Sequence, residues 1–391
     1  MLANLKKIKT VNHRNVLNVI RIRKEVSGAE IARITKLQPS TIVYILRDLK
    51  KHGLIEISRL GSSTEVGGKP PTLWQLISKK GYIIGLEILP HGLRISLVDF
   101  NSEIIFQQAY HQLPIKGNPH FISLIKDIIG DIMRQMNLSD EKVLGIGVAL
   151  PGLIDGKNGI LTFSKPLALK KIPVKSLLEE ALGHSIWITN DANAGALGIK
   201  WYPQETEIQY HHIIYLTINE EVRGIGAGLI IDQQLYTGAT GTAGEIAAAF
   251  PPIEFLCQIG EKKFGKKLDI PFHLSGNGSL LLSKIAEYAR NGCPVSNYVV
   301  EKVCDFLARE IFRVMIFINP DLIVIGGDIM EIEFLFNDFV IPLVKKRMRN
   351  VFPTEIEIPK ICCSPFGSYS VSVGATALIL REIFVENSVP S

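Results

Sequence analysis

No apolar run in this 391-residue chain approaches the roughly 18 residues a helix needs to cross a bilayer. The most apolar stretches, Val143 to Ile154 and Val314 to Ile318, are short and carry glycine or are bounded by polar residues. The first ten residues, Met1 to Thr10, are basic but lack the apolar stretch of a secretory signal. Cysteine is scarce: the five present make an odd count with no paired framework, which argues against a disulfide scaffold. These absences predict a cytoplasmic protein with reduced thiols and no membrane partner. Wholesale disorder is excluded too, because 47% hydrophobic and 21% charged residues is globular composition. At about 150 residues per domain, the length allows two or three cores.

Acidic residues are short in one place only. Residues 1–80 carry 16 Lys+Arg against 5 Asp+Glu, a balance of +11, while the remainder carries 27 against 33, a balance of −6. A small basic head on a mildly acidic body points to a polyanion partner for the head. Helical spacing runs from His13 to Lys24, then from Gly28 to Lys36. Leu37-Gln38-Pro39 then sets up a third helix, since proline suits its first position, and Gly53 closes it. Ile42, Ile45, Leu46 and Leu49 fall on one face of that helix. Helix, tight turn, helix with a polar outer face is the helix-turn-helix pattern. Gln38, Ser40, Thr41 and Tyr44 are the candidates for base edges in a major groove, and Arg47 and Lys51 for phosphates. Leu54 to Ile57 and Thr72 to Leu76 alternate like two strands around a Gly- and Ser-rich segment. That segment reads as a wing, from which Arg59 and Lys69 would reach a minor groove or the backbone. A winged helix used only for protein contacts is the competing reading.

From Gly81 onward the pattern becomes strands in a hairpin series, then helix, strand, helix, strand, and the scheme repeats without a sequence repeat. Two α/β lobes with a cleft between them are the expected architecture. Four segments sharpen this. Gly145 to Asp155 reads GIGVALPGLID, Asn190 to Ala194 reads NDANA, Leu235 to Ile246 contains LYTGA and GEI, and Asn319 to Gly327 reads NPDLIVIGG. In order and spacing, over about residues 80–380, they resemble the ROK family of bacterial sugar kinases and sugar-responsive repressors. The head resembles the winged helix of the repressor branch, with Gly67-Gly-Lys-Pro-Pro71 in the place of its basic wing segment. The resemblance implies an α/β fold: an actin-like, ribonuclease H-like two-lobed body behind an N-terminal winged helix-turn-helix. The expected boundaries are 1–79 for the head, 80–195 for the first lobe, completed by a C-terminal helix at 373–391, and 196–372 for the second.

The resemblance also implies a sugar site at Asn190, Asp191 and Glu245, with Asp191 in the position of the kinase base. The competing reading of Asn190-Asp191 is a helix N-cap. The sequence departs from the family pattern at several places. Its aspartate-Gly-Gly-Thr phosphate loop is replaced by Glu87-Ile-Leu-Pro-His-Gly92, where proline supplies no N–H and bulky residues deny close backbone approach. Its second phosphate loop carries Asn219-Glu220-Glu221, whose carboxylates repel a triphosphate. Its zinc-binding His and Cys cluster is reduced to Ala247 and a lone Cys257, so no metal and no cofactor are expected. The histidine and second glutamate that touch sugar in the family are missing, and so is an asparagine expected in Phe163 to Leu167. The leading expectation is therefore a non-enzymatic, sugar-responsive repressor that binds operator DNA as a homodimer or homotetramer. The alternatives are an ATP-dependent sugar kinase, or a regulator with a vestigial cleft controlled by a protein partner.

Overall fold

Val16, Leu17 and Ile20 on one helix and Ile31, Ile42, Ile45 and Leu49 on the next two are all but inaccessible to solvent, and their burial closes the head. The computed structural model describes residues 11–61, 70–202, 210–219, 224–249, 251–268, 282–353 and 356–384. The head comprises α1 (Val11–Arg23), β1 (Val26–Ser27), α2 (Gly28–Thr35), α3 (Pro39–Lys51), β2 (Ile55–Leu60) and β3 (Thr72–Leu76). Ser27 caps α2 by accepting from the Glu30 amide, Pro39 occupies the first turn of α3, and Gly53 turns the chain at φ +62°. The three strands pair in the order β1-β3-β2. Strand β2 runs three residues further than its alternation predicts, and the wing tip at 62–69, with Lys69, lies outside the described residues.

The first lobe is built on β4 (Tyr82–Leu89), β5 (Gly92–Asp99), β6 (Ile104–His111), α4 (Phe121–Gln135), β7 (Val143–Leu150), β8 (Leu153–Asp155), β9 (Ile160–Ser164), β10 (Leu169–Ile172), α5 (Val174–Leu182) and β11 (Ile186–Asn190), and α6 (Asp191–Trp201) leads from it to the second lobe. Its main sheet has the order β11-β7-β4-β5-β6, with β4, β7 and β11 parallel. The small sheet β10-β9-β8 has no counterpart in the pattern reading. The second lobe follows with β12 (Ile213–Asn219), β13 (Gly224–Ile231), β14 (Gln234–Tyr236), β15 (Glu245–Ala249), α7 (Ile253–Phe264), α8 (Leu282–Arg290), α9 (Pro294–Ile318), β16 (Leu322–Gly326), α10 (Ile341–Val351) and β17 (Lys360–Cys363). Its sheet runs β14-β13-β12-β16-β17, with β15 on β13.

The chain then returns as α11 (Ser370–Ile383), which packs on β4 and β7 of the first lobe and along α6. This helix starts three residues earlier than expected, and residues 385–391 lie outside the described residues. Glycines allow the close packing. A Cβ on Gly147 would sit 1.9 Å from the Ala375 carbonyl oxygen, and one on Gly374 would sit 2.0 Å from that of Ala194. The buried α6 thus lies between α11 and strands β12 and β13 of the second lobe, where the two lobes meet.

Candidate functional site

Strand β11 ends at Asn190, and α6 starts at Asp191. The Asn190 side chain caps the helix, its Oδ1 accepting from the Ala192 amide at 2.9 Å and the Asn193 amide at 3.3 Å. Its Nδ2 donates to the Gly152 carbonyl at 3.0 Å, tying the cap to the Pro-Gly turn after β7. The N-cap role weighed for the pair therefore falls to Asn190, and Asp191 stands one residue inside the helix. Asp191 is 7% exposed and accepts from the Ala192 amide at 2.8 Å. Burial, reinforced by the nearby Glu87 and Glu245 carboxylates, pushes its carboxyl up to about 7 against the pull of that amide. Asn190, Asp191 and Glu245 line one cleft of about 310 Å³, together with Phe163, Lys165, Thr217 and Asn219. Glu245 is solvent-exposed, yet partial burial still raises its pKa. Two carboxyls and hydroxyl and amide groups in a hollow of this size suit a small polyol.

The segment expected to have lost phosphate binding is a tight β4–β5 hairpin with Leu89 paired to Gly92. The carbonyls of Pro90 and His91 accept from the amides of Lys116 and Leu113, so the turn is tied down by the following loop. Glu87 is wholly buried and pairs with Arg94 at 3.3 Å. Gly326 lies against Tyr215, and Gly327, at φ +95°, packs on Ile218 with the Asp328 amide 3.5 Å from the Asn219 side chain. These glycines serve local packing. Of the second phosphate loop, Glu220 and Glu221 lie outside the described residues.

Among the described residues no cluster of three or more His, Cys, Asp or Glu side chains could hold a metal ion. Cys257 is buried in α7, and burial pushes its thiol up to about 12. Side chains at 247–249 and residues 269–281 lie outside the description. Dialysed protein is expected to carry far less than one zinc per chain. Near-stoichiometric zinc by metal analysis would contradict this.

In the head, Gln38, Ser40, Tyr44, Arg47 and Lys51 are exposed along α3, and Thr41 is half-buried. Tyr44, 65% exposed, stands edge-on to His13 with ring centroids 6.2 Å apart. Arg59 does not stand free, because Glu25 holds its guanidinium at 2.8 Å. That carboxylate would have to be displaced before Arg59 reached a phosphate.

A contact that composition did not disclose joins head to body. Arg14 of α1 donates to the carbonyls of Arg381, Glu382 and Ile383 at the end of α11. Arg21, 5% exposed, donates to the Trp201 carbonyl at the end of α6 at 2.9 Å and to Asn18 at 3.0 Å. Its guanidinium lies 5.1 Å from the Trp201 ring centre and 5.4 Å from that of Phe384. Burial lowers its pKa to about 10. Lys24 donates to the Asn101 carbonyl at 2.8 Å and pairs with Glu103. Cations on helix C-termini are favourable through both the free carbonyls and the helix dipole.

A helix-turn-helix head clamped to a two-lobed body with a polar interlobe cleft defines the class, and the chain belongs to the ROK family, whose sequence profile matches residues 83–263 and 275–382. It is 25% identical to the xylose repressor of Caldicellulosiruptor bescii, over 96% of this chain and 97% of that protein. It is 26% identical to the glucokinase of Thermotoga maritima, over 77% of this chain and 98% of that enzyme. The fold matches a crystal structure of a ROK family transcriptional regulator, a homologue of the E. coli MLC protein, with a TM-score of 0.72 at 19% identity, covering 95% of this chain and 96% of that one. No described helix is long and apolar enough to cross a membrane.

Proposed function

We propose that the protein is a cytoplasmic, sugar-responsive transcriptional repressor that binds operator DNA through α3 and a sugar between its lobes, without phosphorylating it. The relative named a xylose repressor lends repression and a pentose as the starting hypothesis for this chain. The observation that carries the reading is α6. One end of this buried helix holds Asn190 and Asp191 in the cleft, and the other gives its last carbonyl to Arg21 of the head. At 1.5 Å per residue it spans about 16 Å as a rigid rod. A sugar that prefers one lobe closure shifts α6 and so the heads of a homodimer or homotetramer. It does so only through a difference in affinity for the two states.

Selection from random duplexes by the full chain tests the DNA half. Tyr44→Ala and Ser40→Ala are expected to relax sequence preference, and Arg47→Ala to weaken binding to all sequences alike. If the body without the head binds the selected duplex as tightly as the full chain, the assignment fails.

The kinase alternative draws on the carboxyl at Asp191, whose value near neutrality suits a general base. Against it stands the β4–β5 turn at Leu89–Gly92, where Pro90 supplies no N–H for a phosphate, and phosphoryl transfer depends on positioned phosphate contacts. A coupled ATP assay over a sugar panel is expected to show turnover far below the ~1 per second at the low end of kinases. The alternative of a cleft that binds no sugar draws on the commitment of the Asn190 side chain, its oxygen to the helix cap and its nitrogen to the Gly152 carbonyl. It predicts no heat with any sugar, whereas the sugar reading predicts saturable binding to at least one.

A further inference from the structure

Helix α3 buries Ile42, Ile45, Leu46 and Leu49 on one face. Its opposite face carries Ser40, Val43, Tyr44, Arg47, Lys50 and Lys51, all exposed. At about 3.6 residues per turn, Val43 falls between Arg47 and Lys50 around the helix, inside the basic face and away from the core. It is 56% exposed.

Nothing in the folded head asks for valine there. A β-branched side chain is a poorer helix former than alanine or a straight-chain residue. Its methyls, turned to water, add nothing to the core. Its neighbours on this face are partly occupied within the head: Tyr44 stands edge-on to His13, and the Lys50 Nζ lies 5.9 Å from the Trp74 ring centre. The pattern of charge indicates what Val43 meets instead. Residues 38–46 carry no charged side chain, and Arg47, Lys50 and Lys51 follow. The cations suit phosphates, while the uncharged leading part of the helix presents hydroxyls and methyls to base edges. In the major groove the base edges offer donors, acceptors and one methyl, that on C5 of thymine. That methyl is the apolar partner the groove can give a valine.

We propose that Val43 is a specificity-determining residue that packs on the C5 methyl of a thymine in the operator. The inference rests on α3 as the helix that enters the groove, and adds the base feature that one of its residues reads. Ser40, one turn before, and Arg47, one turn after, stand about 5–6 Å from Val43 between Cβ atoms, so the thymine lies beside the groups those two contact.

Anisotropy titration of the full chain against its selected duplex tests this, with each thymine replaced in turn by deoxyuridine. That replacement removes the methyl and keeps the base pair. At one position or more it should weaken the wild type about three- to fivefold, the worth of one methyl withdrawn from water. Val43→Ala should bind the thymine and deoxyuridine duplexes equally at that position, so the two changes are less than additive. Its melting temperature should hold or rise, because alanine is the better helix former. Arg47→Ala should weaken both duplexes and keep the wild-type ratio between them. A selected duplex in which no thymine methyl matters overturns the proposal and leaves DNA binding by the head standing. Methyl dependence that persists unchanged in Val43→Ala also overturns it, by assigning the methyl to another side chain. A chain that selects no duplex overturns the proposal together with the reading of α3.

Discussion

Asp191→Ala is expected to weaken the inducing sugar by about ten- to a hundredfold, the cost of leaving one or two desolvated hydroxyls without a partner. Affinity for DNA without sugar should change little, since the residue belongs to the cleft and not to the head. The same carboxyl predicts two pH effects. Its ordinary value is 3.8, and in the folded chain it is pushed up to about 7, mainly by burial. Between those values the folded state binds more protons than the unfolded one. This stabilising contribution is complete below the unfolded value and is lost as pH rises through about 7. Asp191→Asn should therefore flatten the fall in melting temperature between about pH 4 and pH 7. An ionised carboxylate is also the better acceptor for sugar hydroxyls. Wild-type sugar affinity should accordingly rise from about pH 6 to pH 8, and that rise should vanish in Asp191→Asn. The cap at Asn190 is intact in both variants, so lost helix capping does not account for the result. Unchanged sugar affinity in Asp191→Ala would remove the residue from the site.

Arg21→Gln is expected to have the largest effect on regulation. The guanidinium is buried, donates to the last carbonyl of α6 and lies over two aromatic rings, a combination that a shorter neutral side chain cannot reproduce. The variant should still bind sugar, because the cleft lies at the other end of α6. It should still bind DNA, because α3 is untouched. The ratio of DNA affinities without and with sugar should fall from the wild-type value toward one, because coupling is the difference the head senses between the two lobe states. Arg14→Ala, at the partly exposed contact with α11, should lower the same ratio less. Both variants are read by anisotropy titrations of one duplex at several sugar concentrations. A wild-type ratio in Arg21→Gln would show that the signal reaches the head by another route.

Much of this architecture is legible in the sequence, because local chemistry and global fold agree there. Pro39 and Gly53 bracket α3, and the run from Val143 to Leu150 is the buried strand its composition announces. Asn190 marks the strand-to-helix turn. The small sheet at 153–172 is not legible, because strands of three to five residues are too short to carry a periodic signal, and β10 sets two exposed lysines side by side. Charge counting also misdirects in one respect. The +11 of the head reads as a polyanion surface, yet Arg14, Arg21 and Lys24 face the body, Arg59 faces Glu25, and Lys80 donates to the His52 carbonyl. A cation's partner is set by tertiary packing, which composition does not encode. The same limit hid the role of Asn190: its identity suits a sugar contact or a cap equally, and only the position of the Gly152 carbonyl shows where its amide is spent.

A sugar in the cleft is expected to control the grip of the head on DNA. Anisotropy titration of the full chain against its selected duplex, with and without each member of a monosaccharide panel, tests it most directly. One sugar should weaken DNA binding by about tenfold or more, within the ordinary range of allosteric coupling. Asp191→Ala should shift this response to higher sugar concentration. Saturable sugar binding in calorimetry with identical DNA affinity in its presence and absence would show that the cleft does not control the head.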